Sequence, residues 1–84
     1  MAYRIDIDPA AVRDLAKLPR DVLPRIDRAI MRLAEDPRPR GAIKLKNSSD
    51  EWRIRVGSYR VVYEIHDDRL VVRVIRAAHR REAY

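Results

Sequence analysis

The chain has no cysteine, which excludes a disulfide framework and a zinc-ribbon site together. His66 and His79 are its only histidines, and two histidines without cysteine partners make a poor metal site. Glycine is confined to Gly41 and Gly57, so no glycine-rich phosphate loop can be built. No run approaches the roughly 18 apolar residues needed to cross a bilayer. The opening Met1-Ala2-Tyr3-Arg4-Ile5-Asp6 lacks the continuous apolar stretch of a signal peptide. These absences lead to the expectation of a cytoplasmic protein with no metal, no cofactor and no membrane association.

What is present is regular apolar patterning and an excess of positive charge. Hydrophobic residues make up 46% of the chain and charged residues 38%, and the first figure is too high for a disordered segment. Its 84 residues suffice for one domain, residues 1–84, and not for two. A chain of this size buries only about 60–65% of the surface it exposes when unfolded. Chemistry is therefore expected on an open face or shallow groove. Lysine and arginine together number 19 against 13 acidic residues, a net charge of +6. Only Lys17, Lys44 and Lys46 are lysines, so 16 of the positive residues are arginine. The guanidinium presents a planar fork that matches phosphate oxygens in pairs.

Tyr3, Ile5 and Ile7 alternate with Arg4 and Asp6, which predicts a strand. Asp8-Pro9 reads as a capped helix start, with the helix running to about Lys17 and burying Val12 with Leu15 or Ala16. Leu18-Pro19 stops it. A second helix is predicted over about Val22 to Glu35, capped by Asp21, with Pro24 tolerated in the first turn. Its apolar stripe is Leu23, Ile26, Ala29, Ile30, Leu33 and Ala34. From Ala42 the period changes to two. Ile43 and Leu45 suggest a strand, and Asn47-Ser48-Ser49-Asp50 a turn. Trp52, Ile54 and Val56 form the next strand, and Gly57-Ser58 a two-residue hairpin loop. Tyr59, Val61, Tyr63 and Ile65 form another, and Leu70, Val72 and Val74 the last, after a turn at Asp67-Asp68. The segment from Ala77 to Tyr84 is too polar to assign. The fold class is α+β, with the N-terminal strand and helical hairpin packed on one face of a C-terminal antiparallel meander sheet.

The hairpin loops serve as rulers. A two-residue loop at Gly57-Ser58 pairs Val56 with Tyr59, Ile54 with Val61 and Trp52 with Tyr63. One sheet face is then apolar, and Trp52, Tyr59 and Tyr63 belong to the core. On the opposite face Arg55 lies across from Arg60, and Arg53 lies beside Val62. A two-residue loop at Asp67-Asp68 would place Arg73 beyond Val62. Like charges directly opposite on a sheet destabilise it. A cluster of Arg53, Arg55, Arg60 and Arg73 makes physical sense if an anion is its partner. His66 reads as turn surface.

The run Trp52-Arg53-Ile54-Arg55-Val56-Gly57-Ser58-Tyr59-Arg60-Val61-Val62-Tyr63-Glu64-Ile65, followed by Ala78-His79-Arg80-Arg81-Glu82-Ala83-Tyr84, resembles the RelE branch of the RelE/ParE toxin superfamily. The element order agrees over the whole chain. The resemblance implies the toxin of a type II toxin–antitoxin system. RelE-like members enter the ribosomal A site and cut mRNA without a metal, by attack of a ribose 2′-OH on the adjacent phosphate. ParE-like members share the fold and inhibit DNA gyrase, which is the alternative reading. A catalytically weak, antitoxin-bound family member is a third.

By the same resemblance Arg60 matches the phosphate-binding arginine, with Arg55 sharing the role. Arg53 and Arg55 stand where relatives often carry lysines. Arginine, with a pKa above about 12, holds phosphate but does not readily move its protons. His79 is then the candidate acid or base, because histidine titrates near neutrality. Arg80 resembles the C-terminal catalytic arginine, with Arg81 its neighbour on the phosphate. Tyr84 resembles the tyrosine that stacks on or orients the scissile nucleotide. The expected partners are the ribosome with its mRNA and a small cognate antitoxin, whose acidic segment would fold onto the basic surface.

Overall fold

The computed structural model describes residues 2–46, 50–79 and 81. The expected turn at Asn47-Ser48-Ser49 therefore lies outside the described residues, as do Arg80 and Tyr84.

The first alternating segment forms β1 (Arg4–Ile7). Asp8 caps the helix that follows, α1 (Pro9–Ala16), by accepting a hydrogen bond from the Ala10 N–H at 3.4 Å. The buried stripe of α1 differs from expectation. Ala11 is fully buried, and Val12 is 52% exposed. The inward positions are Ala11, Asp14, Leu15 and Leu18, the i, i+3, i+4, i+7 set. A small residue at Ala11 lets the helix lie close against the sheet. Asp14 can join the stripe because its carboxylate is fully engaged there.

The second helix is α2 (Leu23–Leu33), which buries Ile26, Ile30 and Leu33 as its pattern requires. Its cap is not Asp21. Val22 occupies that position in a helical conformation, with no side-chain hydrogen bond. A single tight turn precedes the helix, in which the Val22 and Leu23 N–H groups both donate to the Pro19 carbonyl at 3.0 Å. That turn supplies the acceptor an aspartate would have provided. No described helix is long and apolar enough to cross a membrane.

The remaining elements are β2 (Ile43–Lys44), β3 (Glu51–Val56), β4 (Tyr59–His66) and β5 (Val71–His79). They form a sheet of order β1-β5-β4-β3-β2. β2 to β5 are an antiparallel meander, and β1 joins its edge parallel to β5. The α+β architecture is therefore as expected, with the first strand completing a five-stranded mixed sheet. The helical hairpin covers one face. Ala11, Ile26, Ile30 and Leu33 pack there on Ile54, Val61, Tyr63, Ile65, Val72, Val74 and Ala77.

Two irregularities set the register of β5. The turn before it has four residues, 67–70, so that His66 pairs with Val71 and Glu64 with Arg73. The register then shifts, because Tyr63 pairs with Val74 and Val62 with Arg76, leaving Ile75 as the extra residue of a bulge. The bulge reverses the alternation. Beyond it Arg76 and Ala78 face the open side of the sheet, while Ala77 and His79 face the helices.

Candidate functional site

The β3–β4 hairpin positions the site. Gly57 has φ +60, a left-handed conformation that favours glycine, and the two-residue loop locks Val56 against Tyr59. Every pair expected along this hairpin is present, including Arg55 with Arg60 and Arg53 with Val62. Trp52, Tyr59 and Tyr63 lie on the helix-covered face as expected.

On the open face Val62 is only 1% exposed, although it is not part of the core beneath the helices. The half-buried Arg53 and Arg60 stand beside it, and Arg55 is exposed. Long arginine stems can cover such an apolar floor while their charged ends project. Here one nitrogen of each of two guanidinium groups is withdrawn from water. Arg53 Nη1 and Arg60 Nε are buried and have no hydrogen-bond partner among the described residues. Leaving a buried donor unsatisfied costs about 1–3 kcal/mol, and more for a charged group. Among the described residues, none of Arg53, Arg55 and Arg60 forms an ion pair, whereas Arg73 and Arg76 do. The arrangement places three arginines side by side with donors left over, a geometry able to bind an oxyanion.

Arg73 does not belong to this set. The longer turn moves it two positions along, opposite Glu64 and beside Asp6 of β1. Its Nη2 is hydrogen-bonded to Asp8 Oδ1. That contact, with the Ala10 N–H, holds the Asp8 carboxyl below its ordinary range against the opposing effect of burial. Arg76 takes the place expected for Arg73, across from Val62. Alternation alone could not have found it, because a bulge leaves no mark in the hydrophobic pattern. Arg76 Nε donates to Asp14 Oδ2 at 2.7 Å and its Nη2 to Oδ1 at 3.3 Å, while the Ala77 N–H donates to Oδ2 at 3.0 Å. Burial pushes the Asp14 carboxyl up, and these donors outweigh it, so its pKa lies below the ordinary value.

The structure does not bring His79 to the arginine cluster. His79 pairs with Tyr59 on the helix-covered face, their rings edge to face with centroids 5.3 Å apart. Arg60 pairs instead with Ala78, on the other side of the sheet. Arg81 is exposed, and its backbone N–H donates to His79 Nδ1 at 3.3 Å. His66 ends β4 and lies 3.0 Å from Glu64 Oε1. Among the described residues there is no group of three or more histidine, aspartate or glutamate side chains able to hold a metal ion.

A separate network ties the far end of the sheet. The Tyr3 hydroxyl donates to Asp67 Oδ1 at 2.6 Å and Arg38 Nη2 to Oδ2 at 2.8 Å, with the Arg38 guanidinium 5.3 Å from the Trp52 ring centroid. This joins β1, the segment after α2 and the β4–β5 turn.

A helical hairpin on one face of such a mixed sheet is the fold shared with solved toxins of toxin–antitoxin complexes. The RelE–RelB complex from Pyrococcus horikoshii OT3 superposes with a TM-score of 0.84 at 31% identity, covering 99% of this chain and 100% of that one. The intact Escherichia coli RelBE toxin–antitoxin complex gives a TM-score of 0.82 at 31% identity, over 93% of this chain and 96% of that one. In sequence, the mRNA interferase toxin RelE of Escherichia coli K12 is 33% identical over 85 aligned residues, spanning 99% of this chain and 88% of the relative. Residues 5–84 match the family described as the ParE toxin of the type II toxin–antitoxin system parDE. The chain belongs to this family, in the RelE branch of the RelE/ParE superfamily.

Proposed function

We propose that this protein is the toxin of a type II toxin–antitoxin pair and acts as a metal-independent endoribonuclease on mRNA in the ribosomal A site. The single observation that carries this reading is the pair of buried guanidinium nitrogens, Arg53 Nη1 and Arg60 Nε, that have no hydrogen-bond partner among the described residues, next to the exposed Arg55. A protein-binding face has little reason to retain unsatisfied buried guanidinium nitrogens. A phosphate-binding face does, because the cost is recovered when the anion is bound. The names of the relatives support the same reading.

The reaction follows from the chemistry of RNA. The ribose 2′ oxygen attacks the adjacent phosphorus, the bond to the 5′ oxygen breaks, and the products are a 2′,3′-cyclic phosphate and a 5′-OH. The proton lost by the 2′ oxygen ends on the departing 5′ oxygen. An additional negative charge develops on the phosphorane, and preorganised donors at that point are worth most. Arg60 and Arg55 form the clamp on the scissile phosphate, with Arg53 on the same face. Arg80 and Tyr84 enter the site through the family resemblance, as a second charge stabiliser and an orienting ring. The basic face is also the surface an acidic antitoxin segment would cover; the similar solved structures from Pyrococcus horikoshii and Escherichia coli are toxin–antitoxin complexes.

Primer extension on translating ribosomes with purified protein tests the reading. Cut message is expected, with Arg60→Ala slowing cleavage by about 10²–10³-fold. Intact message under conditions in which Escherichia coli RelE cleaves overturns it, and inhibition of gyrase supercoiling alongside intact message would support the ParE-like alternative.

A further inference from the structure

β1 pairs with only the first part of β5, from Val71 to Val74. Beyond the bulge, the edge of β5 is left to the end of α1. Between them lies an open cleft of about 260 Å³, whose lining includes Asp14, Lys17, Tyr59, Arg76, Ala78 and His79. The cleft wraps around the sheet edge, because Arg76 and Ala78 face the open side while Tyr59 and His79 face the helices.

This cleft adjoins the arginine cluster. Arg60 pairs with Ala78 and Val62 with Arg76, so Arg76 is the diagonal cross-strand neighbour of Arg60. Such neighbours lie about 7–8 Å apart. Three basic side chains border the cleft against one carboxylate, and that carboxylate is already committed to Arg76 and the Ala77 N–H. Lys17 forms no ion pair among the described residues. His79 Nδ1 accepts the Arg81 N–H, which leaves Nε2 as the ring nitrogen able to donate.

We propose that the cleft is a second phosphodiester subsite, which takes a backbone phosphate flanking the one held by Arg55 and Arg60. Arg76 and Lys17 supply its charge, and His79 supplies a ring N–H donor. The inference rests on the RNA reading above and extends it from one phosphate to a track. Asp14 is a positioning residue in this scheme: it holds the Arg76 guanidinium at the mouth of the cleft and competes with the phosphate for it. His79 thereby gains a role that its position on the far face denies it at the scissile phosphate.

The test is fluorescence anisotropy of a labelled, uncleavable 2′-O-methyl RNA over a salt series, with the intact protein and its Arg55→Gln, Lys17→Gln and Asp14→Asn variants. Thermal melts accompany each variant. Each phosphate contact contributes about 0.7 to the slope of log affinity against log salt. Lys17→Gln is expected to reduce the slope by about that amount. Asp14→Asn is expected to tighten binding and steepen the slope, because it removes the carboxylate that competes with the phosphate at Arg76. A purely structural role for Asp14 predicts no gain. Weaker binding by Arg55→Gln with an unchanged slope for Lys17→Gln overturns the subsite and leaves the RNA reading standing. No effect from any variant, Arg55→Gln included, overturns both. Lys17 is exposed and keeps the test decisive should Asp14→Asn fail to fold.

Discussion

Arg55 and Arg60 stand directly opposite one another across the β3–β4 hairpin, and among the described residues neither is ion-paired to a carboxylate. An opposite-charge pair in this position stabilises a sheet by about 0.2–1 kcal/mol, and a like-charge pair destabilises it. Arg55→Glu should therefore raise the melting temperature by a few degrees, since about 1 kcal/mol is worth roughly 4–8 °C in a domain of this size. The same substitution should abolish RNA cleavage. Calorimetry and primer extension on one preparation check both halves. A lower melting temperature would show that the pair is not repulsive in the free protein.

That pair was legible in the sequence because its ruler is short. A two-residue loop with glycine at φ +60 admits one register, and the alternation of Trp52, Ile54 and Val56 selects the buried face. The β4–β5 pairing was not legible, for two physical reasons. Asp67-Asp68 looks like a two-residue loop, whereas the turn takes in Arg69 and Leu70, and Leu70 itself has φ 53. Charged residues have no preference strong enough to mark where such a turn ends. The bulge at Ile75 then reversed the faces, which put Arg76 where Arg73 was expected and carried His79 away from the arginines. The helices show the same division. The α2 stripe was clear from its period, while a cap made by a preceding turn, and an aspartate satisfied inside the α1 stripe, depend on tertiary partners.

Gly57→Ala tests the ruler itself. A left-handed conformation costs a residue with Cβ about 1–2 kcal/mol. The added carbon would lie 2.9 Å from Arg25 Nη2, the far end of a flexible side chain that can swing aside. The expected loss is about 1 kcal/mol, from the backbone and not from the collision. Chemical denaturation should therefore give the same loss in an Arg25→Ala background, to within about 0.5 kcal/mol. Rescue by Arg25→Ala would assign the cost to sterics instead.

Tyr63 is fully buried, and its hydroxyl donates to the Pro37 carbonyl at 2.7 Å. Tyr63→Phe removes the donor and leaves a buried carbonyl behind, a loss of about 1–2 kcal/mol. Burial also pushes the phenol from 10.0 up to about 12. In the unfolded chain the hydroxyl ionises first, so between those two values stability falls as the pH rises. Ultraviolet titration should show a tyrosine step near pH 12 that is missing from the Tyr63→Phe variant, while the Tyr3 hydroxyl, also raised by its hydrogen bond to Asp67, still titrates late in that variant. Early titration of every tyrosine would contradict the buried hydrogen bond.

Acid should act through three aspartates. Asp67 is held below the ordinary carboxylate value by hydrogen bonds from Arg38 and Tyr3, Asp8 by the hydrogen bond from Arg73, and Asp14 by Arg76 and Ala77 against the penalty of burial. A carboxyl with a depressed folded pKa binds its proton more readily in the unfolded chain. Its contribution is therefore complete above the unfolded value of about 3.9 and is lost as the pH falls through the folded one. Stability should be nearly flat from pH 7 to about 5 and fall steeply below about 4. Asp67 links three segments by two side-chain partners, so Asp67→Asn should flatten that fall while lowering stability at neutral pH. Asp67 is largely exposed, and added salt should reduce its share. Denaturant unfolding at pH 7, 4 and 3 measures the slope in both proteins. An acid limb equally steep without the Asp67 carboxylate would mean that the Tyr3–Asp67–Arg38 link does not contribute to holding β1 and the β4–β5 turn together.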